Sequence, residues 1–127
     1  MSALISSYRD LKVWQIAMDL AAEVYEFTKR FPASEMYGMT SQMRRAAVSV
    51  AANIAEGYGR DSTGSYVSFL RVAQGSLKEV ETHLMLSARV GLSAAGSEEP
   101  LLQRCDEAGK MLRSLIRSVE RSSGQAQ

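Results

Sequence analysis

The chain has 127 residues, 46% hydrophobic and 23% charged, which suits a single domain (1–127) with an ordinary core and no need of disulfide support. Lys and Arg number 15 against 14 Asp and Glu, a net charge of +1, so any nucleic-acid binding must come from a patch that folding or assembly creates. No apolar run reaches the roughly 18–20 residues of a membrane span, Met1–Ser7 lacks the pattern of a signal peptide, and the lone Cys105 allows no intrachain disulfide, so a cytoplasmic location is expected.

Prolines stand only at 32 and 100, and glycine-rich stretches fall at 57–64 and 91–96. Between these breaks the apolar residues recur at helical spacing, which predicts an all-α chain. Helices are expected at about 10–31, 40–57, 62–90 and 98–121. Four helices joined by mostly short connections pack best as an antiparallel up-down-up-down four-helix bundle.

In the first helix, Ser7 or Asp10 is the candidate N-cap and Pro32 the stop. Leu11, Trp14, Met18, Ala21, Tyr25 and Thr28 form one stripe; Val13, Ala17, Leu20, Val24, Phe27 and Phe31 form a second beside it. A peripheral bundle helix needs one apolar arc of about 100°. Two stripes predict cover on two sides, by the chain's own bundle and by a neighbouring subunit, and Val13, Ala17, Leu20, Val24 and Phe27 are the candidate oligomer interface. A helix wedged deeply within one subunit is the competing explanation.

A short turn near Ser34–Tyr37 precedes the second helix, whose many alanines predict close packing and deep burial. The third helix opens on a Ser62 or Thr63 cap and ends near Val90, with Gly91 just past its C-cap. Its core stripe is Tyr66, Phe69, Ala73, Leu77, Val80, Leu84 and Ala88, and Gly75 in mid-helix predicts a tight helix crossing. The fourth helix is expected to follow a Ser97 cap, to tolerate Pro100 in its first turn and to present Leu101, Cys105, Ala108, Leu112, Leu115 and Val119 to the core. Its acids come early and its bases late, which complements the helix dipole. Ser122–Gln127 reads as an unstructured tail.

Catalytic chemistry finds little support. His83 is the only histidine, so neither the paired Glu-x-x-His of di-iron bundles nor a three-ligand zinc site is expected from one subunit. His83 reads as a partly exposed, hydrogen-bonded side chain and Cys105 as a small core residue rather than a nucleophile. Gly57–Gly64 lacks the Gly-Lys-Ser/Thr of a phosphate loop and reads as an inter-helix turn. Glu79 and Glu81 lie on different faces of one helix and make no catalytic pair. No enzyme activity, metal or cofactor is expected.

Two polar patterns remain. Lys110, Arg113, Arg117 and Arg121 form a basic stripe on one helix face, either a solvated face or a ridge for nucleic-acid phosphates. Arg45, Asn53, Glu56 and Arg60 make a polar stripe on an otherwise small and apolar helix. Such groups predict a structural network with partners elsewhere, Glu79 and Glu81 being candidates, or else a recognition surface.

Several segments carry a family likeness. Asp10-Leu11-Lys12-Val13-Trp14-Gln15-Ile16-Ala17 resembles the opening of the four-helix-bundle proteins encoded in bacterial 23S rRNA intervening sequences. Phe31-Pro32 followed by Glu35-Met36-Tyr37-Gly38-Met39-Thr40-Ser41-Gln42 resembles that family's Phe-Pro…Glu-x-Tyr-Gly-Leu-Thr-x-Gln segment. The likeness continues through Met43–Ser49 and Asn53–Gly57, through Ala73–Ser76 and Glu79–Thr82, and more loosely through Met111–Ile116, about 8–120 in all. The resemblance implies a bundle that assembles into a homo-oligomer, with five-subunit rings or barrels among its members. Relatives include accessory proteins of diversity-generating retroelements, which bind nucleic acid and a reverse transcriptase through a basic barrel surface; the near-neutral charge here departs from that type. Weak RNA or ribonucleoprotein binding is the leading expectation, and a protein–protein scaffold without nucleic acid is the alternative.

Overall fold

The computed structural model describes the backbone over 4–126 and the side chains over 4–122, so part of the Met1–Ser7 reading, and Gln127, lie outside the described residues. The chain enters through a 3-10 turn, Tyr8–Asp10, closed by a capping box. Asp10 Oδ2 accepts from the Ser7 N–H at 3.1 Å, while Ser7 Oγ accepts from the Arg9 N–H at 3.2 Å. Both candidate caps therefore serve this one turn. Extended Leu11 then separates the turn from the first helix, α1 (Lys12–Thr28). That helix stops three residues before the expected Phe31, because Pro32 has no N–H to donate and disfavours helix at the residue before it.

A second 3-10 turn, Ala33–Glu35, leads to α2 (Met39–Tyr58). Gly38 offers α2 no side-chain cap, and the Glu35 carboxylate serves instead, accepting from the Met39 N–H at 3.1 Å. Helix α3 (Thr63–Arg89) is capped by Ser62 Oγ, which accepts from the Ser65 N–H at 3.1 Å. At its far end Gly91 takes φ +81°, Leu92 N–H donates to Ser87 O and Gly91 N–H to Ala88 O. These are the paired bonds of a Schellman ending, which leaves Gly91 in the place expected for it.

Helix α4 (Glu99–Ala126) corrects two expectations. Ser97 is not its cap, since its hydroxyl donates to Ala94 O within the preceding turn. Residues 122–126 are not a loose tail but continue the helical backbone.

Among the described residues there are four α-helices and no strand. Each helix packs on two neighbours, α1 on α2, α2 most extensively on α3, α3 on α4 and α4 back on α1. The core they enclose includes Val13, Ala17, Leu20 and Val24 of α1, Met43, Ala47, Val50 and Ile54 of α2, Leu70, Ala73, Leu77, Val80 and Leu84 of α3, and Cys105, Ala108 and Leu112 of α4, each at most 5% exposed. The close crossing lies at Gly57 rather than Gly75. A Cβ on Gly57 would stand 2.9 Å from Phe69 Cβ, whereas one on Gly75 would meet nothing within 4 Å.

Candidate nucleic-acid interface and apolar face

Four of the five candidate interface positions, Val13, Ala17, Leu20 and Val24, are buried by the chain's own helices, so they cannot meet a neighbour. Phe27 is partly buried and packs edge-to-face on Phe31 at 5.6 Å. The second stripe is thus the core stripe. What α1 leaves outward comes from the first: Ala21 and Thr28 are buried, while Met18 and Tyr25 stay 46% and 43% exposed. The Arg44 guanidinium of α2 lies 4.5 Å from the Tyr25 ring centre, and its Nε donates to Thr28 Oγ1 at 2.8 Å. Val48, one turn beyond Arg44 on the same flank, is 46% exposed. Met18, Tyr25 and Val48 therefore give the α1/α2 side a row of large apolar groups in water.

The expected polar network is mostly absent. Arg45 and Glu56 are exposed and make no side-chain hydrogen bond or ion pair among the described residues. Arg60 lies over the Phe69 ring at 4.6 Å from its centre. Glu79 and Glu81 turn to their own helix, Glu79 to His83 Nε2 at 3.3 Å and Glu81 to Lys78 Nζ at 3.4 Å. A single turn of helix brings such partners within reach, so no second helix is needed. Only Asn53 joins a link between helices: its Nδ2 donates to Ser49 Oγ at 2.9 Å, and Ser49 Oγ bonds Ser76 Oγ at 2.8 Å across to α3. Ser49 belongs to the same polar stripe by spacing, but its pairing with Ser76 could not be foreseen, because the reach of such small side chains shows only once α2 and α3 are packed together.

The basic stripe divides as well. Lys110 pairs with Asp106 at 3.7 Å, and Arg117 and Arg121 are exposed on α4. Arg113, exposed as well, stands at the seam between α3 and α4. There it lines a groove of about 370 Å³ with Arg71, Gln74, Gly75, Lys78 and Gly109. Arg71 also meets Glu120 at 3.2 Å from beside the groove. No carboxylate is in the lining itself, but Lys78 and Arg71 already pair with Glu81 and Glu120 beside it, so Arg113 is the cation of this groove that has no acidic partner among the described residues. Gly75 and Gly109 put no side chain into it, which keeps the channel open. Arg71 and Lys78 went unnoticed in the sequence, although their spacing of seven places both on one face of α3.

Chemistry elsewhere is subdued. Cys105 is buried, and desolvation pushes its thiol up to about 12, so it is a core residue without nucleophilic character at neutral pH. His83 keeps its hydrogen bond to Glu79 with a side chain 12% exposed. No helix among the described residues is long and apolar enough to cross a membrane.

An all-helical fold of four packed helices, with a cationic seam on one side and an apolar row on another, defines the class of protein. The model of the 23S rRNA-intervening sequence protein family matches residues 9–114. The chain belongs to that family. It is similar to a solved structure of a protein of unknown function from the S23 ribosomal protein family of Bacteroides thetaiotaomicron. The two are 24% identical, with a TM-score of 0.73 over 82% of this chain and 97% of that one, a likeness of fold. No curated protein matches the chain.

Proposed function

We propose that this chain is a non-enzymatic subunit of a cytoplasmic homo-oligomer, five-fold by the family resemblance, that binds RNA through the phosphate backbone at the seam between α3 and α4. The subunit itself is read as an antiparallel up-down-up-down bundle, since Thr28 near the end of α1 meets Arg44 near the start of α2, and Arg71 early in α3 meets Glu120 late in α4.

The observation that carries the RNA reading is one open groove lined by Arg71, Lys78 and Arg113 with no acid in its lining, where Arg113 has no acidic partner among the described residues and Arg71 and Lys78 pair only at its sides, with Glu120 and Glu81. Guanidinium groups suit phosphate oxygens, and binding to the backbone demands no base sequence. A subunit of net charge +1 binds such a polyanion weakly alone. Repeating the groove around an oligomer turns weak binding into avidity without any new chemistry. The exposed row of Met18, Tyr25 and Val48 supplies the face on which subunits would meet.

Fluorescence anisotropy with a labelled single-stranded RNA is the test. Binding is expected at low salt and should weaken steeply as salt rises. Arg113→Glu should lower affinity and flatten the salt slope by about 1 for each phosphate that is no longer neutralised. No anisotropy rise at low salt would remove this reading. It would favour the second, a protein-binding scaffold, for which the same exposed apolar row is the supporting feature.

A further inference from the structure

A roomy cavity lies away from both of these surfaces, between the last turns of α1 and the 91–98 connection. Its volume is about 680 Å³, with Ala22, Phe27, Phe31, Leu92 and Leu101 among the residues that line it. The two phenylalanines hold each other edge-to-face. Leu92 is fixed by its N–H donating to Ser87 O at 2.9 Å, so this wall belongs to the folded end of α3 rather than to a loose loop. A cavity of this size with an apolar wall and polar groups beside it has the form of a small-molecule site.

The charged groups of its lining select the chemistry. Four charged residues, Glu23, Glu26, Lys29 and Arg30, are in the lining together with the hydroxyls of Ser93 and Ser97. Glu26 is taken by Lys29 at 2.8 Å, and that bond holds its carboxyl below the usual range. Glu23 is taken by Arg104, which donates from Nε at 2.8 Å and from Nη2 at 3.3 Å. Both acids therefore already have a cation beside them. Arg30 acts on Glu26 only at longer range and makes no side-chain hydrogen bond among the described residues. A guanidinium with donors to spare beside an apolar cavity matches a ligand with a greasy body and one anionic head.

We propose that this cavity is a binding site for a medium-chain fatty carboxylate, the alkyl chain among Phe27, Phe31, Leu92 and Leu101 and the carboxylate on Arg30. Titration calorimetry of the whole protein with dodecanoate, below its micelle concentration, tests it against dodecanol and dodecyltrimethylammonium. Dodecanoate is expected to bind about ten-fold more tightly than the alcohol, the worth of one charge-assisted hydrogen bond, and the ammonium compound not at all. Arg30→Gln should bring dodecanoate down to the alcohol's affinity. Ala22→Phe, which puts a large ring at an exposed position of the lining, should abolish both, with the melting temperature of each variant confirming an intact fold. No heat with dodecanoate, equal binding of all three compounds, or unchanged binding by Ala22→Phe would each overturn the proposal.

Discussion

A Cβ on Gly57 would press on Phe69 Cβ and stand 3.2 Å from the Tyr66 carbonyl oxygen, both firmly placed, whereas Gly75 faces open space. Gly57→Ala should therefore cost about 1–3 kcal/mol by overpacking. Gly75→Ala should gain about 0.5–1 kcal/mol, because an exposed helical glycine only adds backbone entropy to lose. Urea denaturation of both variants checks the pair, and the opposite order would refute the crossing at Gly57. The sequence pointed to Gly75 because a mid-helix glycine is conspicuous, while Gly57 sat inside a glycine cluster that looks like a turn. Which face a glycine occupies depends on the packing angle of two helices, and that is not written locally.

Two further residues give tests at this scale. Ser87 Oγ is buried with no hydrogen-bond partner among the described residues. Removing a hydroxyl that gave up its water without gaining a partner should be neutral or stabilising by about 1 kcal/mol. A melting temperature well below wild type for Ser87→Ala would contradict this. The buried Cys105 thiol is pushed from its ordinary 9.0 to about 12. The folded state thus keeps its proton at a pH where the unfolded chain releases it. The stabilising contribution is complete below about 9 and is lost as pH rises toward about 12. Denaturation midpoints should fall over that window, and the fall should be shallower in Cys105→Ala. Equal slopes would mean the thiol reaches water in the folded protein.

Helices and their ends were the most legible part of the chain, because caps and breakers act over a few residues. Ser62, Gly91 and Pro32 each act as their chemistry requires. The ends of α4 were misjudged: Ser97 found a nearer acceptor in Ala94 O, and the polar 122–126 segment continues the helical backbone. The stripes of α1 were also legible as stripes, but their assignment was not. Both have helical spacing, and only the positions of α2 and α4 decide which is inward. Leu20→Ala should cost about 2–5 kcal/mol, as for any fully buried leucine. Met18→Ala on the same helix should change single-chain stability by no more than about 0.5 kcal/mol. Chemical denaturation under conditions that hold the chain monomeric reads the difference, and equal costs would mean that both stripes are buried.

At the scale of the molecule, the cationic groove could not be read in advance. Arg113 comes from one helix and Arg71 and Lys78 from another, so the cluster exists only after α3 and α4 have paired. The basic stripe gave one of its members, and the neutral overall charge concealed the rest. The same charge makes assembly the hinge of the functional reading, because one groove on a nearly neutral subunit can neutralise few phosphates. Apolar side chains as large as Met18, Tyr25 and Val48 standing in water on neighbouring helices are the physical reason to expect that assembly. The mass in solution, by light scattering on a sizing column, tests it most directly. Wild type should run as a several-fold multiple of its 13.9 kDa chain, and Met18→Asp with Val48→Asp should collapse it toward one chain while the helices still melt cooperatively. A wild-type protein of 13.9 kDa, or a double variant with wild-type mass, would contradict the account.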